Sequence, residues 1–127
     1  MRRKNQSNKL GHWGELLACE YLISKGYGIV ERNWKLENYE IDIVANHNGR
    51  VVFVEVKTRR KSDGDDPATA VNRSKMRRIA VAADSYMRLN DLPHEVQFDI
   101  ITVTGTPDDY TLTHIDDAFL SPLKNFR

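Results

Sequence analysis

Between residues 11 and 25 apolar side chains recur at helical spacing, with Trp13, Leu16, Leu17 and Tyr21 on one face and Ala18 and Leu22 on its flank. Gly26 is placed to end this first helix in a left-handed cap. The period then shortens. Residues 29–35 are partly β-branched, and residues 39–45 set Ile41, Ile43 and Ala45 against Glu40, Asp42 and Val44, the alternation of a strand. Asn48-Gly49 follows, a pair that tolerates the positive φ a type I′ hairpin turn needs at both central positions. Residues 51–58 return from it. Their unbroken apolar run, Val51, Val52, Phe53 and Val54, predicts a strand buried on both faces and therefore central in its sheet.

Residues 62–69 carry Gly64, Pro67 and several acids and predict a loop, with Asp66 as N-cap and Pro67 as first helical residue of a helix over about 68–89. Met76, Ile79, Ala80, Ala83, Tyr86 and Met87 form its apolar stripe. Two further strands are expected at 96–104 and 110–115, with a turn over 105–109. Neither a repeat nor a domain boundary interrupts the pattern. The expectation is one domain over residues 1–127, with residues 1–10 a flexible basic N-terminus. A chain of 127 residues is long enough to bury roughly two-thirds of the surface it would expose unfolded.

The hairpin also places chemistry. If its two strands run symmetrically from Asn48-Gly49, facing residues have numbers that sum to 97, so Asp42 stands opposite Glu55 and Glu40 opposite Lys57. Alternation then puts all four charged side chains on one side of the sheet. Like charges facing each other at roughly 4.5 to 5.5 Å between Cβ atoms are unfavourable. A divalent cation resolves the conflict, and Mg²⁺ or Mn²⁺ suits a pair of carboxylates that leaves coordination positions to water. Lys57 beside them is suited to orient an attacking water or to offset charge on a phosphodiester.

Net charge is only +1, so any polyanion partner must be argued from clusters. Arg59, Arg60 and Lys61 follow the predicted central strand, and Arg73, Lys75, Arg77 and Arg78 crowd the start of the second helix. Together they suit phosphate contacts that follow DNA shape rather than sequence; a solvated helix face is the competing reading. The lone Cys19 is expected to be a buried thiol in a reducing compartment. No segment reaches membrane-span length, which predicts a cytoplasmic protein without a membrane partner. His12, His47, His94 and His114 lack zinc-ligand spacing, and no phosphate-cradling glycine loop is present.

Gly14-Glu15, the segment Glu40-Ile41-Asp42-Ile43-Val44, and Phe53-Val54-Glu55-Val56-Lys57-Thr58-Arg59 together resemble the bacterial YraN family, within the PD-(D/E)XK nuclease superfamily. The resemblance runs from about Gly11 to Val103. It implies an α/β domain with a central mixed β-sheet flanked by helices, a restriction-endonuclease-like core similar to that of archaeal Holliday-junction resolvases. By motif it makes Asp42, Glu55 and Glu15 metal ligands and Lys57 the catalytic lysine. The implied activity is Mg²⁺-dependent endonuclease cleavage of DNA, on branched or structured substrates, with a homodimer suited to paired cuts. The alternative is a nucleic-acid-binding module that keeps the fold without turnover. Two positions depart from the family pattern. Tyr39 stands where glycine is usual, crowding the backbone beside the metal position, and Gln97 stands where arginine is common, removing a phosphate contact.

Overall fold

Val51, Val52, Phe53 and Val54 are each at most 8% exposed, and the strand that holds them lies in the middle of a five-stranded sheet. The computed structural model describes residues 2–61, 71–92 and 95–121, with backbone alone for residues 2–8. In chain order the elements are α1 (Arg2–Ser24), β1 (Gly28–Leu36), β2 (Tyr39–His47), β3 (Arg50–Arg59), α2 (Arg73–Leu89), β4 (Glu95–Thr106) and β5 (Asp109–Ile115). The strands lie in the order β1-β2-β3-β4-β5. All neighbours pair antiparallel except β3 and β4, which are parallel and joined through α2. The expected α/β domain with a mixed sheet is therefore the fold. No described helix is long and apolar enough to cross a membrane.

Each face of the sheet is covered by one helix. On the α1 side, Ala18, Cys19 and Leu22 pack on Ile43, Ala45, Val52, Val54, Ile101 and Val103. On the α2 side, Ile79, Ala80, Ala83, Tyr86 and Met87 pack on Ile41, Val44, Val51, Phe53, Phe98 and Ile100. Period-two alternation sorts β3 and β4 cleanly between these two cores. On β2 it slips, because Ile41 belongs to the α2 side and Ile43 to the α1 side although they are two residues apart. Across the β1–β2 ladder the position facing Asp42, between the pairs Arg32↔Ile43 and Trp34↔Ile41, is Asn33. Asn33 has φ 53°, the left-handed region that asparagine tolerates better than most residues. The change of face on β2 thus falls at Asp42, opposite Asn33.

Several boundaries differ from the sequence reading. The α1 helix extends back to Arg2, where the sequence reading starts it at about residue 11. Leu16, placed on the apolar stripe, is 42% exposed, and the buried face is instead centred on Ala18, Cys19 and Leu22. The second helix begins at Arg73 rather than 68, since Asn72 has extended backbone and its side-chain oxygen accepts from the Lys75 N–H. Asp66 and Pro67 lie outside the described residues. Asn48 and Gly49 both have positive φ, 52° and 78°, as the type I′ turn requires.

One glycine sets how closely α1 approaches the sheet. A Cβ on Gly14 would stand 1.9 Å from the Thr58 Oγ1 and 3.0 Å from its Cβ, so only glycine lets the helix rest on the end of β3. The next residue, Glu15, is thereby brought to the same end of the sheet as Glu55 and Lys57.

Candidate active site

Near the turn the β2–β3 hairpin follows the symmetric register, from His47↔Arg50 to Ile43↔Val54. There the pairing stops. The two strands fork, β2 continuing on β1 to Leu36↔Tyr39 and β3 continuing on β4 to Arg59↔Thr104. Asp42 turns into the fork, where its Oδ2 accepts the Val56 N–H at 2.8 Å. The expected ladder contacts of Asp42 with Glu55 and of Glu40 with Lys57 are therefore corrected: the β2–β3 pairing ends at Ile43↔Val54, where β2 changes face, and Glu40 instead pairs with Lys35 at 3.7 Å. The fork still gathers the same acids around one opening.

That opening is a cleft of about 570 Å³, and Glu15, Glu40, Asp42, Glu55, Lys57, Lys75 and Arg78 all line it. Each element contributes for a local reason. Gly14 lets α1 bring in Glu15, the fork presents Asp42, and β3 alternation sends Glu55 and Lys57 to one face. The first turn of α2 closes the wall, with the Lys75 Nζ 2.6 Å from the Glu55 Oε2. Lys57 is exposed and has no ion pair among the described residues. Arg78 donates to the Asn38 carbonyl at 2.7 Å and lies over the Tyr39 ring, 5.1 Å from its centroid.

Two buried carboxylates show what separates this cleft from ordinary packing. Asp99 accepts from the Tyr27 hydroxyl at 2.9 Å, the His114 Nε2 at 2.8 Å, the Gln97 amide at 2.8 Å and the Asp117 N–H at 3.0 Å. Burial pushes its carboxyl up, yet these donors outweigh burial and hold it below the usual range. Asp42 accepts one backbone N–H. Burial first, and then the Glu55 charge, push it up to about 8, with Glu15 and Glu40 adding to the effect. Asp99 is a satisfied structural anion. Asp42 is an acid held beside like charge in a cleft, the pattern expected where function rather than packing sets the arrangement.

Among the described residues, no three His, Cys, Asp or Glu side chains converge into a ready metal cage. Glu15, expected as a third ligand, lines the cleft but faces Arg32 at 3.6 Å. Burial nonetheless raises its carboxyl above the ordinary value. The donor set that remains, Asp42 with Glu55, fits Mg²⁺ or Mn²⁺, which commonly take one or two protein carboxylates and leave other positions to water and substrate phosphate.

The basic residues divide. Arg73, Arg77 and Arg78 are exposed on α2, and Arg60 is exposed beyond β3. Lys61 is paired with Asp109, Lys75 is engaged with Glu55, and Arg59 is buried at 5% exposure, which removes its side chain from the outer surface. Sequence reasoning missed three features. Arg32 lies against Glu15, with its Nε and Nη2 lacking hydrogen-bond partners among the described residues. Tyr39 serves as the platform for Arg78 rather than merely crowding the backbone. Gln97 is buried and bonded to Asp99 and Arg50, away from the cleft residues, so it belongs to packing and not to a phosphate contact. Only the alternation at Arg32, a basic residue on a strand facing Ile43, hinted at the first.

Comparison with known proteins places the same segments in one group. The profile of Uncharacterised protein family UPF0102 matches residues 14–103, the span from Gly14 to Val103 that carries every residue of the cleft except those from Leu10 and Gly11. A UPF0102 protein of Bacteroides fragilis is 44% identical over 118 residues, covering 93% of this chain and 98% of that protein. One from Phocaeicola vulgatus is 41% identical over 118 residues, with coverage of 93% and 98%. One from Chlorobium chlorochromatii is 36% identical over 125 residues, with coverage of 94% and 97%.

Proposed function

The chain belongs to the YraN-like family UPF0102, and from that premise we propose that it is a metal-dependent endonuclease of the PD-(D/E)XK type, acting on phosphodiester bonds in DNA. The observation that carries the reading is the fork between β2 and β3, which holds the Asp42 carboxyl at the Val56 N–H and beside Glu55 in an open, charged cleft. Asp42 and Glu55 would hold Mg²⁺ or Mn²⁺, with Glu15 adding negative charge on the facing wall. The cation, when bound, supplies charge neutralisation at the phosphodiester and lowers the pKa of an attacking water.

The protein's own groups do the rest. Lys57, exposed and on the same face as Glu55, positions water against the phosphorus or donates to a phosphate oxygen. Arg78, seated on Tyr39, offers a fixed guanidinium at the rim. Arg60, Arg73 and Arg77 contribute phosphate contacts that carry no sequence information, which favours reading of DNA shape, branched DNA included. Two copies related by a two-fold axis would present two clefts to a symmetric junction.

The second reading, a binding module without turnover, draws on the Lys75–Glu55 contact, which ties up one of the two carboxylates. A cleavage assay separates them. Linear, single-stranded and four-way-junction DNA are incubated with Mg²⁺ or Mn²⁺ and wild type, Glu55→Gln or Lys57→Ala. Metal-dependent cutting that falls by about 10² or more in both variants is the expected result; binding with no cutting of any substrate would move the protein to the second reading.

A further inference from the structure

The Lys75–Glu55 ion pair is unequal. The Glu55 side chain is 9% exposed and fixed on β3, whereas Lys75 is 47% exposed and reaches in from the first turn of α2. A buried carboxylate deprived of its counter-ion needs another cation, because leaving the charge unpaired is costly. An ammonium on a four-carbon unbranched stem is under no such constraint, since it can move outward and be solvated or meet another anion. Moving it does not undo the helix start, which rests on the Lys75 backbone N–H and the Asn72 side chain at 2.9 Å.

The Nζ stands 2.6 Å from the Glu55 Oε2 and so offsets the charge, and occupies one of the two oxygens, that a divalent ion would use. Lys75 and a divalent ion therefore compete for Glu55. We propose that Lys75 is an exchangeable counter-ion: it neutralises Glu55 while the cleft is without a divalent cation, and releases it when the cation and a phosphodiester arrive, passing to a phosphate oxygen. This rests on the nuclease reading above and adds to it a coupling between metal and substrate. Lys57 has a different role, since it is not engaged with either acid among the described residues and is available in both states. The exchange keeps the cleft near charge balance throughout, and it makes tight metal binding conditional on DNA.

The test is Mn²⁺ binding to the DNA-free protein, read by titration calorimetry and by the Mn²⁺-dependent rise in thermal midpoint. Lys75→Met is expected to tighten Mn²⁺ by about fivefold or more, the scale of a half-exposed ion pair that no longer competes. Lys75→Arg, which can hold the carboxylate with two parallel hydrogen bonds, is expected to weaken it. The control is Lys35→Met, which removes the same charge from Glu40 on the wall of the same cleft. It is expected to change affinity by less than about twofold. Should Lys75→Met fold poorly, the opposite response of Lys75→Arg carries the test alone. Unchanged Mn²⁺ affinity in both Lys75 variants overturns the exchange and leaves the two-carboxylate site standing, as does a Lys35→Met effect equal to that of Lys75→Met. Failure of wild type and all variants to bind Mn²⁺ overturns the exchange and the nuclease reading together.

Discussion

Asp42→Asn is expected to stabilise the metal-free protein, and to do so more as pH rises. Burial and the Glu55 charge push the Asp42 carboxyl to about 8 in the folded chain, against about 3.9 for an aspartate in an unfolded one. Between those values the folded state binds more protons than the unfolded state, so stability falls as pH rises through the window. Only below the unfolded value is the penalty absent. From about pH 6 to about pH 8 this one group removes about 2 kcal/mol. Asparagine cannot ionise, yet its amide oxygen can still accept the Val56 N–H that Asp42 accepts at 2.8 Å. Urea unfolding with chelator present should therefore give a wild-type stability that declines over this range and a variant stability that declines less. Mg²⁺ should reverse the order, because only the ionised wild-type pair binds it. A variant less stable than wild type at about pH 8 without metal, or a gap independent of pH, would refute the reasoning.

Three further outcomes follow from other parts of the molecule. Neutralising Arg73, Lys75, Arg77 and Arg78 together should weaken binding to all DNA sequences alike and flatten the plot of log affinity against log salt by up to about 0.9 per lost phosphate contact; filter-binding at several salt concentrations reads this, and an unaltered slope counts against the α2 surface. Gly14→Ala would set a methyl 1.9 Å from the Thr58 Oγ1, which should cost about 1 to 3 kcal/mol in urea unfolding, whereas Gly11→Ala, with nothing within 4 Å, should not. Asp99 is held below the ordinary carboxylate range by its four donors, so its contribution is present above about pH 4 and lost as pH falls further. Asp99→Asn should flatten acid unfolding in that range, and an unchanged acid limb would remove Asp99 as its cause.

The sequence made the centre of the fold readable where one signal dominated. Asn48-Gly49 fixed the turn, and the run Val51 to Val54 marked the central strand, because each depends on local backbone or on burial on both faces. The register read outward from that turn held as far as Ile43↔Val54. It failed at the functional residues themselves, since extrapolation assumes a straight ladder and the β2–β3 pairing ends where β2 changes face. The start of α2 was misplaced because the reading took its cap from Asp66-Pro67, whereas Asn72, with extended backbone, caps the helix. Lys75 was legible as a basic residue but not as the partner of Glu55, a contact made across the sheet-to-helix packing that no local pattern encodes. Glu15 came to the cleft through Gly14, whose packing role is visible only once Thr58 is beneath it.

The most direct test is anomalous diffraction at the manganese edge from crystals of Lys57→Ala grown with DNA and Mn²⁺. The account predicts a peak between the Asp42 and Glu55 carboxylates with a DNA phosphate beside it and the Lys75 ammonium withdrawn from Glu55. A peak at other acids, or ordered DNA with no metal at the fork between β2 and β3, would contradict it.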